Sequence, residues 1–175
     1  MLRGITMTTL VTLLALSSVA GAAERRGELA LGFSSADAPV GVRYFTSDRF
    51  ALDVGLGFES TDVVVDGTGD TDTATNFFVE GGATYILYDY LDSYFFVRPA
   101  IMFASFDDLA PTGLESRFRG ELNLGAEVRL ADHFGLTFEH GIAVQSDSPQ
   151  DDGDSLTTIE TLGQNATRAG VWFTF

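Results

Sequence analysis

The sequence predicts an all-β protein: an eight-stranded antiparallel up-and-down transmembrane β-barrel over residues 24–175, preceded by a signal peptide at 1–23. Three observations carry this prediction. Apolar and polar residues alternate with period two through almost the whole chain after residue 24, with no competing helical period. The connections are of two kinds that take turns, one tight, the other mostly long, polar and acidic. Aromatic residues on the apolar face recur eight residues apart on three strands, an interval that suits the apolar band of a bilayer.

The first segment, "MLRGITMTTLVTLLALSSVAGAA", carries one charge, Arg3. An apolar stretch runs from about Ile5 to Leu16 and gives way to Ala20-Gly21-Ala22, a small-residue cleavage pattern. Cleavage is expected after Ala22 or Ala23. The stretch is shorter than the ~20 residues a spanning helix needs and contains four Thr.

With 175 residues the chain suffices for one domain, and 45% hydrophobic content allows a large apolar surface. There is no Cys, which excludes disulfides and Cys-ligated metals. All ten basic residues are Arg, and the formal charge is -15. Loss of Arg3 with the signal peptide leaves nine Arg against 25 acids, near -16. Nucleic acid is not an expected partner, because binding it needs a basic footprint. Polybasic attraction to anionic head groups is excluded on the same ground.

Strands are expected at about 27–35, 39–46, 50–60, 75–87, 93–105, 116–130, 134–145 and 159–175. The tight connections are "TSDRF" (46–50), "DYLDSY" (89–94) and "LADHF" (130–134). They share the form Asp-x-aromatic, in which Asp favours the turn and the aromatic opens the next strand. The longer connections lie at 60–75, 106–115 and 145–155, and the short one near 35–39 joins them by order. Both ends of residues 24–175 then lie on the tight-turn side.

Each strand has two unlike faces. On 50–60, Phe50, Leu52, Val54, Leu56 and Phe58 oppose Ala51, Asp53, Gly55, Gly57 and Glu59. On 116–130, Phe118, Leu122, Leu124, Ala126, Val128 and Leu130 oppose Arg119, Glu121, Asn123, Gly125, Glu127 and Arg129. Parity alone does not say which face is inside. Volume does: an eight-strand lumen has room for a limited set of side chains and cannot hold several large residues from every strand. The apolar face is therefore expected outward, in lipid. The small and charged residues face the lumen, where Glu28, Asp53, Glu59, Glu80, Glu121, Glu127 and Glu139 meet Arg43, Arg98, Arg119, Arg129 and Arg168. Buried charges must be paired, and the planar fork of Arg suits carboxylates.

The aromatic interval supports this orientation. Phe50 and Phe58, Phe77 and Tyr85, and Phe95 and Phe103 are each eight residues apart. Eight residues rise roughly 26 Å along a strand. At about 40° of tilt this projects to about 20 Å, near the ~25 Å between aromatic girdles. Pro99 lies mid-strand without a ladder donor, so a bulge or distorted pairing is expected there.

On these features the mature chain resembles the OmpA-like superfamily of eight-stranded outer-membrane β-barrels of Gram-negative bacteria. "LGAEVRLADHFGLTFEHGI" (124–142) is similar to their strand–turn–strand phrase. The stretch Arg168 to Phe175, with Arg168, Gly170, Phe173 and Phe175 at the marked positions, resembles the assembly signal of that class. The resemblance implies the bacterial outer membrane as location, and outer-membrane lipids and the barrel-assembly machinery as partners. Members that bind peptidoglycan do so through a further domain after the barrel. No such domain is expected after Phe175, and that role is not carried over.

Chemistry is not expected. His133 sits in a tight turn. His140 lies on the outward face. Some small barrels of the resembled class are lipid A deacylases with a lipid-facing His and a Ser two residues later; Ile142 stands there instead. The acidic stretches "DGTGDTD" (66–72) and "DDGD" (151–154) lack EF-hand spacing, so no metal or cofactor is assigned. The expected role is non-catalytic: structural, or binding of an unidentified surface ligand through the acidic loops. The alternatives are a lipid A-modifying enzyme and a narrow cation-favouring channel. The channel is suggested by seven inward acids against five Arg.

Overall fold

Alternating β-branched and aromatic residues with two-residue breaks build a meander whose ends meet. The computed structural model describes residues 24–33, 38–64, 71–109, 112–150, 153–161 and 167–175. Its strands are β1 Leu29–Phe33, β2 Val40–Ser47, β3 Phe50–Val64, β4 Thr71–Tyr90, β5 Ser93–Ser105, β6 Leu114–Ala131, β7 Phe134–Pro149, β8 Leu156–Glu160 and β9 Thr167–Thr174. Each pairs antiparallel with its neighbour in sequence up to β7. β8 and β9 follow one another along the second edge of β7, and β9 pairs with β1, for example Leu31 with Phe173. The nine segments thus form the eight staves of a closed barrel, β9 sealing it against β1.

The eighth stave departs from expectation. The sequence predicts one strand at 159–175, but pairing steps from Ala143↔Glu160 to His140↔Thr167. Seven residues advance against three of β7, so the ladder cannot run through. The expected signal peptide, 1–23, and residues 162–166 of the expected last strand lie outside the described residues.

Three expected loops are shorter than their sequence suggests. β3 and β4 pair from Phe50↔Tyr85 up to Val64↔Thr71, so much of 60–75 is a hairpin rather than a loop. β6 begins at Leu114 and β7 runs to Pro149, which takes residues from the other two loops. At the opposite end the turns are two residues long: Asp48-Arg49, Leu91-Asp92 and Asp132-His133. Asp opens the first and third but closes the second, where Leu91 adopts φ 52°.

Pro99 gives the expected distorted pairing, without a bulge. It keeps register with Leu122 on β6, and on the β4 side the ladder skips from Gly82↔Ala100 to Tyr85↔Val97 without slipping. The missing N–H therefore interrupts pairing but adds no residue. The bulge of this pair lies instead at Ile86/Tyr88.

The two faces separate as the volume argument requires. Outward positions are apolar and exposed, including Leu124 at 63%, Phe58 at 77%, and Phe77, Tyr85, Phe95 and Phe103. Inward positions are buried. The lumen is not lined by small and charged residues alone, as the sequence suggested. Phe45, Ala51, Ile86, Tyr94 and Phe96 pack together near the tight turns, and Phe78, Met102 and Ala104 pack near the loop end with Phe106 against them. Glycines make room for the large groups: a Cβ on Gly82 would lie 2.9 Å from the Arg98 guanidinium, and one on Gly125 would lie 2.3 Å from the Phe96 ring.

Candidate functional site

Inward parity brings charges from seven staves into the lumen, in a column that runs from one apolar cluster to the other. They form a continuous chain of ion pairs. Glu127 meets Arg43 at 2.8 Å, and Arg43 also holds Asp53. Asp53 reaches Arg98 at 3.1 Å, and Arg98 holds Glu80. Glu80 meets Arg168 at 2.7 Å, Arg168 meets Glu121 at 2.6 Å, and Glu121 pairs with Arg119. Glu139 branches from Arg98 at 3.5 Å. All nine groups are buried. Neutral donors complete the carboxylates: Thr84 donates to Asp53 at 2.7 Å, and Asn123 donates to Glu121 at 3.0 Å and Glu139 at 3.4 Å. Such charges persist in a low-dielectric interior only with this degree of pairing.

Three members of the sequence-derived set lie elsewhere. Glu28 and Arg129 pair with each other at 2.9 Å, half-exposed at the tight-turn rim. Glu59 does not join the luminal chain: it is exposed and accepts a hydrogen bond from Asn76 Nδ2 at 3.3 Å. The reason is height, because β3 continues past the Phe58 girdle and carries Glu59 out of the lumen. The buried core set is thus five acids against four Arg.

Two further cations outside the sequence-derived set close the ends of the lumen. Arg25 precedes β1 yet is 1% exposed; its guanidinium donates to both Asp89 oxygens and stacks over Tyr94 at 4.9 Å. Burial opposes its charge, but the hydrogen-bonded Asp89 carboxylate outweighs burial and raises the Arg25 pKa. Arg25 thereby caps the lumen at the tight-turn end. At the other mouth Arg117 pairs with Asp147 at 2.7 Å and covers Phe106 at 5.6 Å. Arg25 does not follow from a strand pattern, since it lies before the alternation starts, whereas Arg117 shares the inward parity of Arg119 on the expected strand 116–130. Trp172 faces inward with Arg43 over its ring at 4.3 Å.

The assembly-signal residues divide by parity. Arg168 and Gly170 are inside. Phe173 lies on the outer wall, 5.2 Å from the Phe134 ring, and Phe175 donates its N–H to Leu29 across the closing seam at 2.8 Å. His140 is outward and exposed, as expected, but it has a partner that sequence spacing does not suggest. Its Nδ1 lies 2.9 Å from Thr167 Oγ1 on β9. Six residues beyond Phe134, the pair stands roughly 15 Å above that girdle. This is the depth of acyl chains, not of the ester-bearing interface. Among the described residues, no group of three or more acids, His or Cys could hold a metal ion.

A closed barrel with an apolar outer wall, an ionic lumen, short turns at one end and a taller rim at the other is a transmembrane β-barrel of the outer-membrane type, and its place is the bacterial outer membrane. Comparison with known proteins finds two solved outer-membrane structures. The attachment invasion locus protein Ail of Yersinia pestis is 14% identical, with a TM-score of 0.28, over 85% of this chain and 95% of that one. A major outer membrane protein of Thermus thermophilus is 15% identical, with a TM-score of 0.29, over 85% and 97%. No protein-family model matches the sequence, and no curated protein matches it. The class rests on the barrel itself.

Proposed function

We propose that the protein is a non-catalytic outer-membrane barrel with a structural or surface-binding role, exercised through its acidic extracellular rim. One observation supports the reading above others. The lumen is occupied from end to end by the Arg25 cap, two aromatic clusters and the ion-pair chain, whereas the rim is raised and acidic. From Phe58 to Val64, β3 rises roughly 20 Å beyond the girdle along its own axis. Residues 59–75 carry five acids and no base, and 145–160 again carry five and no base. A surface of this kind holds cations, with strong salt dependence.

The test is binding of polylysine to intact cells expressing the protein, compared with the triple variant Asp62→Asn, Asp72→Asn, Asp154→Asn. Binding is expected to fall in the variant and in high salt. Equal binding to both would overturn the surface role. Lipid A mass spectra with and without the protein, and planar-bilayer conductance, address the enzyme and the channel: both readouts are expected to be unchanged.

A further inference from the structure

The buried luminal set does not balance. Asp53, Glu80, Glu121, Glu127 and Glu139 face Arg43, Arg98, Arg119 and Arg168, while Arg25 at the tight-turn end is taken by Asp89. One negative charge is left over in a low-dielectric interior, where an uncompensated ion is strongly disfavoured. The distances locate it. Asp53, Glu80, Glu121 and Glu127 each lie within 2.8 Å of an Arg nitrogen. Glu139 has the longest pair of the set, 3.5 Å to Arg98, and the Asn123 amide adds a contact of 3.4 Å.

The unfilled capacity around Glu139 is of one kind. Thr137, the preceding inward residue of β7, is 2% exposed, and its Oγ1 has no hydrogen-bond partner among the described residues. Its neighbours across the two ladders are Glu127 on β6 and Gly170 on β9, and Gly170 brings no side chain to it. Asn123 is 1% exposed; its Nδ2 is turned to Glu121 and Glu139, and its Oδ1 is without a partner. That oxygen lies over Gly141, the next inward residue of β7, where a Cβ would come within 2.4 Å of it. Glu139 thus stands between two buried oxygens that lack a partner. An amide oxygen only accepts, and a hydroxyl oxygen has lone pairs to offer.

Whatever completes this site must carry one positive charge and serve several oxygens. A proton on Glu139 cancels the charge but fills a single acceptor. Water fills acceptors but leaves the charge. A divalent ion reverses the imbalance, and among the described residues no group of three acids, His or Cys is arranged for one. A monovalent metal ion meets both conditions, and oxygen ligands suit such a hard cation.

We infer that the lumen binds one alkali-metal cation against the Glu139 carboxylate, with Thr137 Oγ1 and Asn123 Oδ1 completing its shell directly or through a bound water. The ion joins β6 to β7 inside the barrel and closes the charge balance of the ion-pair chain. It is a resident structural ion, distinct from cations gathered loosely at the acidic rim.

The experiment uses the full mature chain folded in phosphocholine vesicles, in sodium chloride or in N-methylglucamine chloride at equal ionic strength, so that the rim charges are screened alike. Urea unfolding is followed by Trp172. An ion that binds only the folded state raises the folding constant, up to tenfold for each tenfold in sodium once the site is filling. The constant is expected to be at least tenfold larger in sodium. Glu139→Gln should lose this dependence, and the rim variant Asp62→Asn, Asp72→Asn, Asp154→Asn should keep it. Thr137→Val, which retains the carboxylate, should weaken the dependence and serves if Glu139→Gln does not fold. Thallium(I), located by its anomalous scattering in crystals of the unmodified chain, should give a site beside Glu139. Equal folding constants in the two salts, or a sodium dependence that survives unchanged in the position 139 and 137 variants, would overturn the inference.

Discussion

Arg98 is the node on which the luminal chain depends, and Arg98→Met tests it. The side chain is 2% exposed and holds Asp53, Glu80 and Glu139. Met keeps much of the stem volume and deletes the charge. Asp53 retains Arg43 and Thr84, and Glu80 retains Arg168, so neither is stranded. Glu139 keeps only the Asn123 amide, at 3.4 Å. The substitution thus leaves one poorly compensated buried carboxylate and cuts the chain into Glu127–Arg43–Asp53 and Glu80–Arg168–Glu121–Arg119. Removing one partner of a buried pair costs about 3–5 kcal/mol. Adding Glu139→Gln neutralises the stranded group and should return about 1–3 kcal/mol of that loss. The assay is urea unfolding in phosphocholine vesicles, followed by the single tryptophan, Trp172, which sits inside the lumen against Arg43. A cost below about 1 kcal/mol for Arg98→Met, or two substitutions that simply add, would refute the claim that these charges act as one network.

Four further outcomes follow from particular contacts. Leu124→Arg, on the lipid-facing wall, should cost about 2–4 kcal/mol in the same assay, and a cost under about 1 kcal/mol would contradict the outward assignment. Gly125→Ala should cost about 1–3 kcal/mol, because the new methyl meets the Phe96 ring; Phe96→Leu in the same chain should recover part of it, and full additivity would show the clash is not the cause. His140→Leu should shift stability by less than about 1 kcal/mol, since its hydrogen bond to Thr167 in hydrocarbon is worth little net, and lipid A mass spectra should not change; loss of a lipid A modification would favour the enzymatic alternative. Deleting Phe175, which bonds Leu29 at the closing seam, should lower outer-membrane yield more than deleting Asp154, and equal yields would remove Phe175 from any assembly role.

What the sequence reveals and what it hides have one physical origin. Hydrophobic alternation exists only where one face meets lipid and the other meets the lumen. Along 50–58 and 118–130 that condition holds, and parity alone assigns Asp53, Arg119, Glu121 and Glu127 to the interior. Above Phe58 both faces of β3 meet water, the alternation vanishes, and "ESTDVV" reads as loop although it is paired to Val64. Glu59 is misplaced by parity for that reason. In "SYFFV" both parities are aromatic, so this segment alone does not sort the inward Tyr94 and Phe96 from the outward Phe95; the parity of Arg98 further along the strand does. Arg25 precedes the pattern, and the His140–Thr167 contact depends on a four-residue offset between β8 and β9 that no local rule encodes.

The luminal chain also bears on where this barrel acts. A conducting path along the axis would have to pass Arg25 and Asp89, then Arg43, Arg98 and Arg168 with their carboxylates, then the Phe78–Met102 cluster. Each buried pair opened to admit an ion leaves a charge uncompensated at about 3–5 kcal/mol. Opening several in concert therefore costs about as much as the roughly 5–15 kcal/mol that keeps an ordinary domain folded. Buried Arg43 Nη2, Asn123 Oδ1, Thr137 Oγ1 and Gln145 Oε1 have no protein hydrogen-bond partner among the described residues, and bridging waters fit such atoms. On the proposed non-catalytic reading the luminal chain acts as a brace, tying seven staves in one register through buried ion pairs.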